Sequence, residues 1–257
     1  MNKIEAVSIT VVYSFLVIAA LYAHPYICPK VKLLYYRPAA IIVMAIISYF
    51  LLFYYDVYDQ FYWFNAPYLS KCSIFSTVVL FLGPALQYFF DVDIDFKNQN
   101  SIKKYLRRQW KNFTSFECFK TLAIGPFTEE MIYRCFGCLI WKKGGMSDLS
   151  TIFLLSFLFG LSHLNKYFIE KHHIGVYIVQ VVYTTLFGWW EAFVWQKTHS
   201  YLTCVFIHTF CNYMQFPDFN EALHWENPVQ KIFIGIGYLF GLIYFFFSIG
   251  LIQTTKI

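Results

Sequence analysis

Charge is what this chain has least of. Only 14% of its 257 residues are Asp, Glu, Lys or Arg, against about a quarter in an ordinary soluble protein. That deficit sets aside the soluble domain. The net charge of +5 is modest, and it fits the loops of a positive-inside membrane protein better than a nucleic-acid surface. No disulfide framework is present either. The 7 cysteines are scattered through apolar segments, and Cys135-x-x-Cys138 lacks the second pair or nearby histidine of a zinc site. Most of them read as small buried hydrophobes. No internal repeat is visible, which weighs against a carrier of inverted-repeat design.

What remains is apolar. Hydrophobic residues make up 58% of the chain, with 30 Phe, 21 Tyr and 7 Trp, an aromatic load suited to a helix bundle with interfacial belts. The expected architecture is an all-α polytopic membrane helix bundle of about eight transmembrane helices, forming a single domain over 1–257. The spans are placed at Ala6–Ala23, Ala39–Tyr55, Cys72–Phe90 (kinked at Gly83-Pro84), Phe116–Trp141, Leu149–Phe168, Ile174–Trp195, Tyr201–Met214 and Ile232–Ile252. With that count, the odd-numbered loops carry most of the Lys and Arg and are cytosolic. From Ser101 to Lys111, five cations alternate with Ile102, Tyr105, Leu106 and Trp110, the pattern of a basic amphipathic helix on an anionic membrane surface, with a solvated loop as the alternative.

The fourth span carries Gly125-Pro126-Phe127-Thr128-Glu129-Glu130-Met131-Ile132-Tyr133-Arg134. A charge at membrane depth costs about 2.5–3.5 kcal/mol on insertion scales, so three of them mark a functional site or a structural cluster. At about 100° per residue, Glu130 and Arg134 share a face and can pair, whereas Glu129 points elsewhere. Glu129 is therefore the candidate for chemistry, with Glu130 and Arg134 in support. Phe159 and His163 in the fifth span are four residues apart and share a face. So do His208 and Asn212 in the seventh. Cys211 neighbours them but lies about 60° behind His208 on the wheel, a poor position for a nucleophile. His172 and His173 read as solvated, and Glu191, near the far end of its span, as a residue that snorkels.

The set Glu129-Glu130-x-x-x-Arg134, Phe159-x-x-x-His163 and His208-x-x-x-Asn212 resembles the three motifs of the CaaX protease family. The flanks Gly125-Pro126-x-Thr128 and Thr209-Phe210-Cys211-Asn212-Tyr213-Met214-x-Phe216-Pro217 are similar to those of its eukaryotic type II prenyl endopeptidases, the Ras-converting enzymes. The motif-bearing core covers about 116–217. The resemblance implies an endoplasmic-reticulum enzyme, open to the cytosol, that removes the -aaX tripeptide from farnesylated or geranylgeranylated CaaX proteins such as Ras-like small GTPases. It implies the lipid bilayer as surroundings, no nucleic-acid partner, and neither metal nor cofactor.

The residues support the same chemistry. A carboxylate and an imidazole, Glu129 and His163, suffice to activate water and shuttle its proton. Two donors on one helical face, His208 and Asn212, are what an oxyanion needs. Two alternatives stand beside this. Glu129, His163 and His208 would make a zinc set, although no His-Glu-x-x-His is present. Buried Glu and His could also serve a non-catalytic carrier or scaffold.

Overall fold

The computed structural model describes residues 1–23, 27, 30–92, 99–166 and 173–255. Cys28, Lys97, Lys171, His172 and the expected end of the fifth span at Phe168 lie outside the described residues. The helices are α1 (Lys3–Tyr22), α2 (Leu33–Tyr54), α3 (Pro67–Leu80), α4 (Leu82–Asp91), α5 (Gln99–Phe113), the continuous helical run α6 over 116–143, α7 (Asp148–Ser162), α8 (Ile174–Thr198), α9 (Tyr201–Met214), α10 (Phe219–Leu223) and α11 (Pro228–Thr254). No strand occurs among the described residues, only an isolated parallel bridge between Tyr62 and Ser200. The chain is an all-α membrane protein.

Among the described residues, three helices, α1, α2 and α11, are long and apolar enough to cross a bilayer, and the bent pair α3–α4 makes a fourth. α9, with 14 residues, rises about 21 Å and falls short of a 30 Å hydrocarbon core. α2 starts earlier than expected: Pro38 sits inside the helix rather than before it. The break in the third span falls at Phe81, with α3 and α4 bent by 48°. Pro84 explains the position, since it has no N–H for the carbonyl of Leu80.

The described residues form two compact units, each built from two stretches of chain. The first holds Met1–Pro67 and Ile124–Val205, the second Tyr68–Ala123 and Phe206–Ile257. In the first, Asn2 and Glu5 form a capping box at the start of α1, satisfying backbone donors that the helix leaves open. Trp141 of α6 donates its indole N–H to Thr10 at 2.9 Å, and the hydroxyl of Tyr13 donates to the carbonyl of Met44. α7 and α8 pack closely through glycine. A Cβ on Gly160 would stand 2.9 Å from the carbonyl of Val181, and one on Gly188 would stand 2.9 Å from Ser156. Lipid offers helices no hydrophobic drive to associate, so such close backbone approach is how they hold one another.

The second unit repeats the device. α11 lies against the α3–α4 bend with Gly237 and Gly241, spaced by four, at the contact; a Cβ on Gly241 would meet the carbonyl of Val79 at 2.7 Å. Asn227 caps α11 by accepting from the backbone N–H groups of Val229 and Gln230, and Pro228 follows at the first helical position, where its missing N–H costs nothing.

Candidate active site

The helix bearing the first motif is not uniform. α6 runs as α-helix over Phe116–Phe119, π-helix over Lys120–Ile124, α-helix over Gly125–Glu130, π-helix over Met131–Cys138 and α-helix over Leu139–Lys143. π turns inside helices are rare and concentrate at functional sites. Pro126 contributes to the irregularity, because it cannot donate to the carbonyl of Leu122 one turn back. That carbonyl and its neighbour take side-chain donors instead. Within the second unit, Thr209 Oγ1 donates to Leu122 at 2.9 Å and Asn212 Nδ2 donates to Thr121 at 3.0 Å. Freed backbone acceptors at membrane depth need such partners.

The adjacent glutamates part company. Glu130 is 0% exposed, and its Oε2 lies 3.2 Å from Arg134 Nε; Glu129 is half-buried. The i,i+4 pairing expected from a regular wheel forms even though Arg134 lies in the π stretch. Arg134 is itself 2% exposed and has a second carboxylate, Glu191 of α8, whose Oε2 is 3.0 Å from its Nη2. Two carboxylates thus flank one guanidinium, all three removed from solvent.

Glu191 is the residue that sequence reasoning passed over. It does not snorkel: it is 0% exposed. The reason is the length of α8, which runs on to Thr198, so that Glu191 lies two turns inside the helix. The signal that finds it is the rule that singled out Glu129, an acid in an apolar run, here Trp189-Trp190-Glu191-Ala192-Phe193.

Phe159 joins this network to a histidine. The Arg134 guanidinium carbon sits 4.4 Å from the centre of its ring, a cation–π contact in desolvated surroundings. The His163 and Tyr133 rings each meet it edge-on at 4.9 Å. His163 closes α7, with Nδ1 3.0 Å from the carbonyl of Phe159. A carbonyl only accepts, so Nδ1 carries the hydrogen and the neutral ring has its lone pair on Nε2. In the first unit, then, Glu130, Arg134, Glu191, Phe159 and His163 form one connected stretch of α6, α7 and α8, with Glu129 next to Glu130 in sequence on α6.

The remaining motif residues belong to the second unit. His208 is 5% exposed on α9, and Asn212 is half-buried one turn later with its amide on the Thr121 carbonyl. Cys211 is half-buried, and all described cysteines are free thiols. His173 caps α8: its Nδ1 accepts from the backbone N–H of Gly175 at 3.2 Å.

Comparison with known proteins bears on this arrangement. Residues 112–214 match the family described as type II CAAX prenyl endopeptidase Rce1-like. Among curated relatives, the probable CAAX prenyl protease 2 of Schizosaccharomyces pombe is 27% identical over 187 residues, covering 70% of this chain and 66% of the relative. CAAX prenyl protease 2 of Homo sapiens is 27% identical over 175 residues, 65% of this chain and 52% of the relative. That of Arabidopsis thaliana is 32% identical over 117 residues, 42% and 34%. The chain spans about two-thirds or less of the length of these relatives. No solved structure gives a significant match. Residues 112–214, which hold every motif position from Glu129 to Asn212, are thus similar to the Rce1-like type II CAAX prenyl endopeptidases.

Proposed function

We propose that this protein is an intramembrane endopeptidase that hydrolyses the peptide bond after a prenylated cysteine and releases the C-terminal -aaX tripeptide. Its substrates are farnesylated or geranylgeranylated CaaX proteins, Ras-like small GTPases among them. It acts in the endoplasmic-reticulum membrane with its site open to the cytosol. The observation that carries this reading is the division of labour between adjacent carboxylates. Glu130 is fully buried against Arg134, while Glu129, next to it in sequence, is half-buried.

Glu129 takes a proton from water, and the oxygen attacks the scissile carbonyl. His163 offers the Nε2 lone pair to hold that water and to relay its proton to the departing amine. His208 and Asn212 enter through their motif and their donor chemistry, hydrogen-bonding the oxyanion as it forms. A prenylated cysteine carboxylate and a free tripeptide leave. A single prenyl chain gives a protein only marginal membrane affinity, so an enzyme within the bilayer meets such a substrate where its lipid already lies.

The test is cleavage of a farnesylated CaaX peptide by the purified protein, with and without a strong chelator. The expected result is tripeptide release that survives the chelator and is lost in Glu129→Gln. Loss of activity on chelation, restored by zinc, would favour the metal-dependent alternative. No cleavage by a folded wild-type preparation would favour the carrier or scaffold.

A further inference from the structure

Helix α5 takes no part in the chemistry above, yet its side chains are sorted more sharply than those of any helix that does. At about 100° per residue, Ile102, Leu106, Trp110 and Phe113 fall within about 80° of one another. Lys103, Lys104, Arg107, Arg108 and Lys111 fill the adjoining sector of about 140°, and no acid lies between Gln99 and Phe113. The remaining sector is the side by which the helix is held. Tyr105 and Gln109 are half-buried there, with the Tyr105 and Tyr88 hydroxyls 2.6 Å apart and Gln109 Nε2 donating to Tyr88. α4 and α5 belong to the same compact unit.

The attachment therefore orients the helix. Its apolar stripe is open: Leu106, Trp110 and Phe113 are 58%, 68% and 61% exposed. All five cations are exposed as well. No carboxylate pairs with them within the helix, and the Arg108 guanidinium lies over its own Tyr105 ring. A large apolar stripe beside an unbroken cationic face needs an occupant that is at once apolar and negative.

We propose that α5 docks on the surface of the protein's own bilayer, with Leu106, Trp110 and Phe113 entering the headgroup–acyl boundary and the Lys and Arg side chains binding anionic lipid headgroups. Charge complementarity selects the occupant. An anionic leaflet presents hydrocarbon just beneath a plane of negative charge, and the chain is already anchored in it by α1, α2 and α11. An acidic protein would satisfy the cations but leave Trp110 and its neighbours in water. Amphipathic helices with this sorting lie with the apolar face about 5–10 Å into the boundary region. Each nearby cation strengthens attraction to an anionic leaflet about fivefold, so the surface reads lipid charge.

The test uses the full chain in nanodiscs of phosphatidylcholine alone or with 30% phosphatidylserine. Trp110 emission is isolated as the difference between wild type and Trp110→Phe, a substitution at an exposed site that leaves packing intact. The expected result is a Trp110 signal shifted to the blue and quenched by brominated acyl chains in anionic discs, weakened in zwitterionic discs and by added salt. Replacing Lys103, Lys104, Arg107, Arg108 and Lys111 with Gln should remove the anionic-lipid dependence while keeping the melting curve. Three outcomes overturn the proposal: a water-like Trp110 in both lipids, equal quenching in both, or a shift produced by soluble polyglutamate but not by phosphatidylserine. The last would make an acidic protein the partner.

Discussion

With Glu191 in view, the cost of losing Glu130 changes. If Glu130 were the sole partner of Arg134, Glu130→Gln would strand a buried guanidinium and cost about 3–5 kcal/mol. Arg134 instead has carboxylates at 3.2 Å and 3.0 Å, so either one can be neutralised and a one-to-one pair survives. Each single change, Glu130→Gln or Glu191→Gln, should then cost only a charge-assisted hydrogen bond, about 1.5–3 kcal/mol. Removing the second carboxylate after the first strands the cation, and that step alone should cost about 3–5 kcal/mol. The double variant is therefore expected to exceed the sum of the singles by about 2 kcal/mol, within the range seen for residues sharing a network. At roughly 2–4 °C per kcal/mol for chains of 150–250 residues, melting in detergent should fall about 4–8 °C beyond additivity. Tryptophan fluorescence at one scan rate, on all four proteins of the cycle, reads this out. Additive losses, or a Glu130→Gln drop as large as the double, would refute the shared-cation reading.

Three further outcomes are expected. Glu129→Gln should abolish cleavage of a farnesylated peptide while leaving the melting curve in place; normal turnover there, with a dead but fully stable Glu130→Gln, would reverse the two roles. Cys211→Ala should cleave at close to the wild-type rate, and a thioester trapped on Cys211 would end the water-activation mechanism. Asn212→Ala should lower kcat about a hundredfold with KM little changed, the cost of one oxyanion donor; a raised Kd at unchanged kcat would put Asn212 in substrate capture.

Much of the site was legible because buried charge is expensive and therefore informative. The i,i+4 spacing of Glu130 and Arg134 survives in the structure, as does the shared face of Phe159 and His163. Glu191 escaped because its value depends on tertiary structure: an acid a few residues from the end of an apolar run looks the same whether it reaches water or a guanidinium on another helix. The helix ends were read from hydropathy, and α8 outlasts its apolar stretch, which is why the distance of Glu191 from water was misjudged. The π stretches of α6 were likewise invisible, since no local propensity announces an i→i+5 turn. The basic segment read from Ser101 to Lys111 is a helix from Gln99 to Phe113, legible because its period is carried by both charge and apolarity. The bend at Phe81 comes two residues before the expected Gly83-Pro84, because a proline breaks the helix at the Leu80 carbonyl it abandons rather than at itself.

The proline in the first motif also bears on why position 212 holds asparagine. The Thr121 carbonyl takes one amide hydrogen of Asn212, and a carboxamide nitrogen has two. A hydroxyl in its place could donate once, a carboxylate not at all. If one hydrogen keeps the backbone of α6 in order and the other meets the substrate, the side chain must be a short, neutral double donor, and among the twenty residues that description fits asparagine best. Asn212→Ser and Asn212→Asp then fail for different reasons: the serine can serve the helix or the reaction, and the aspartate can serve neither.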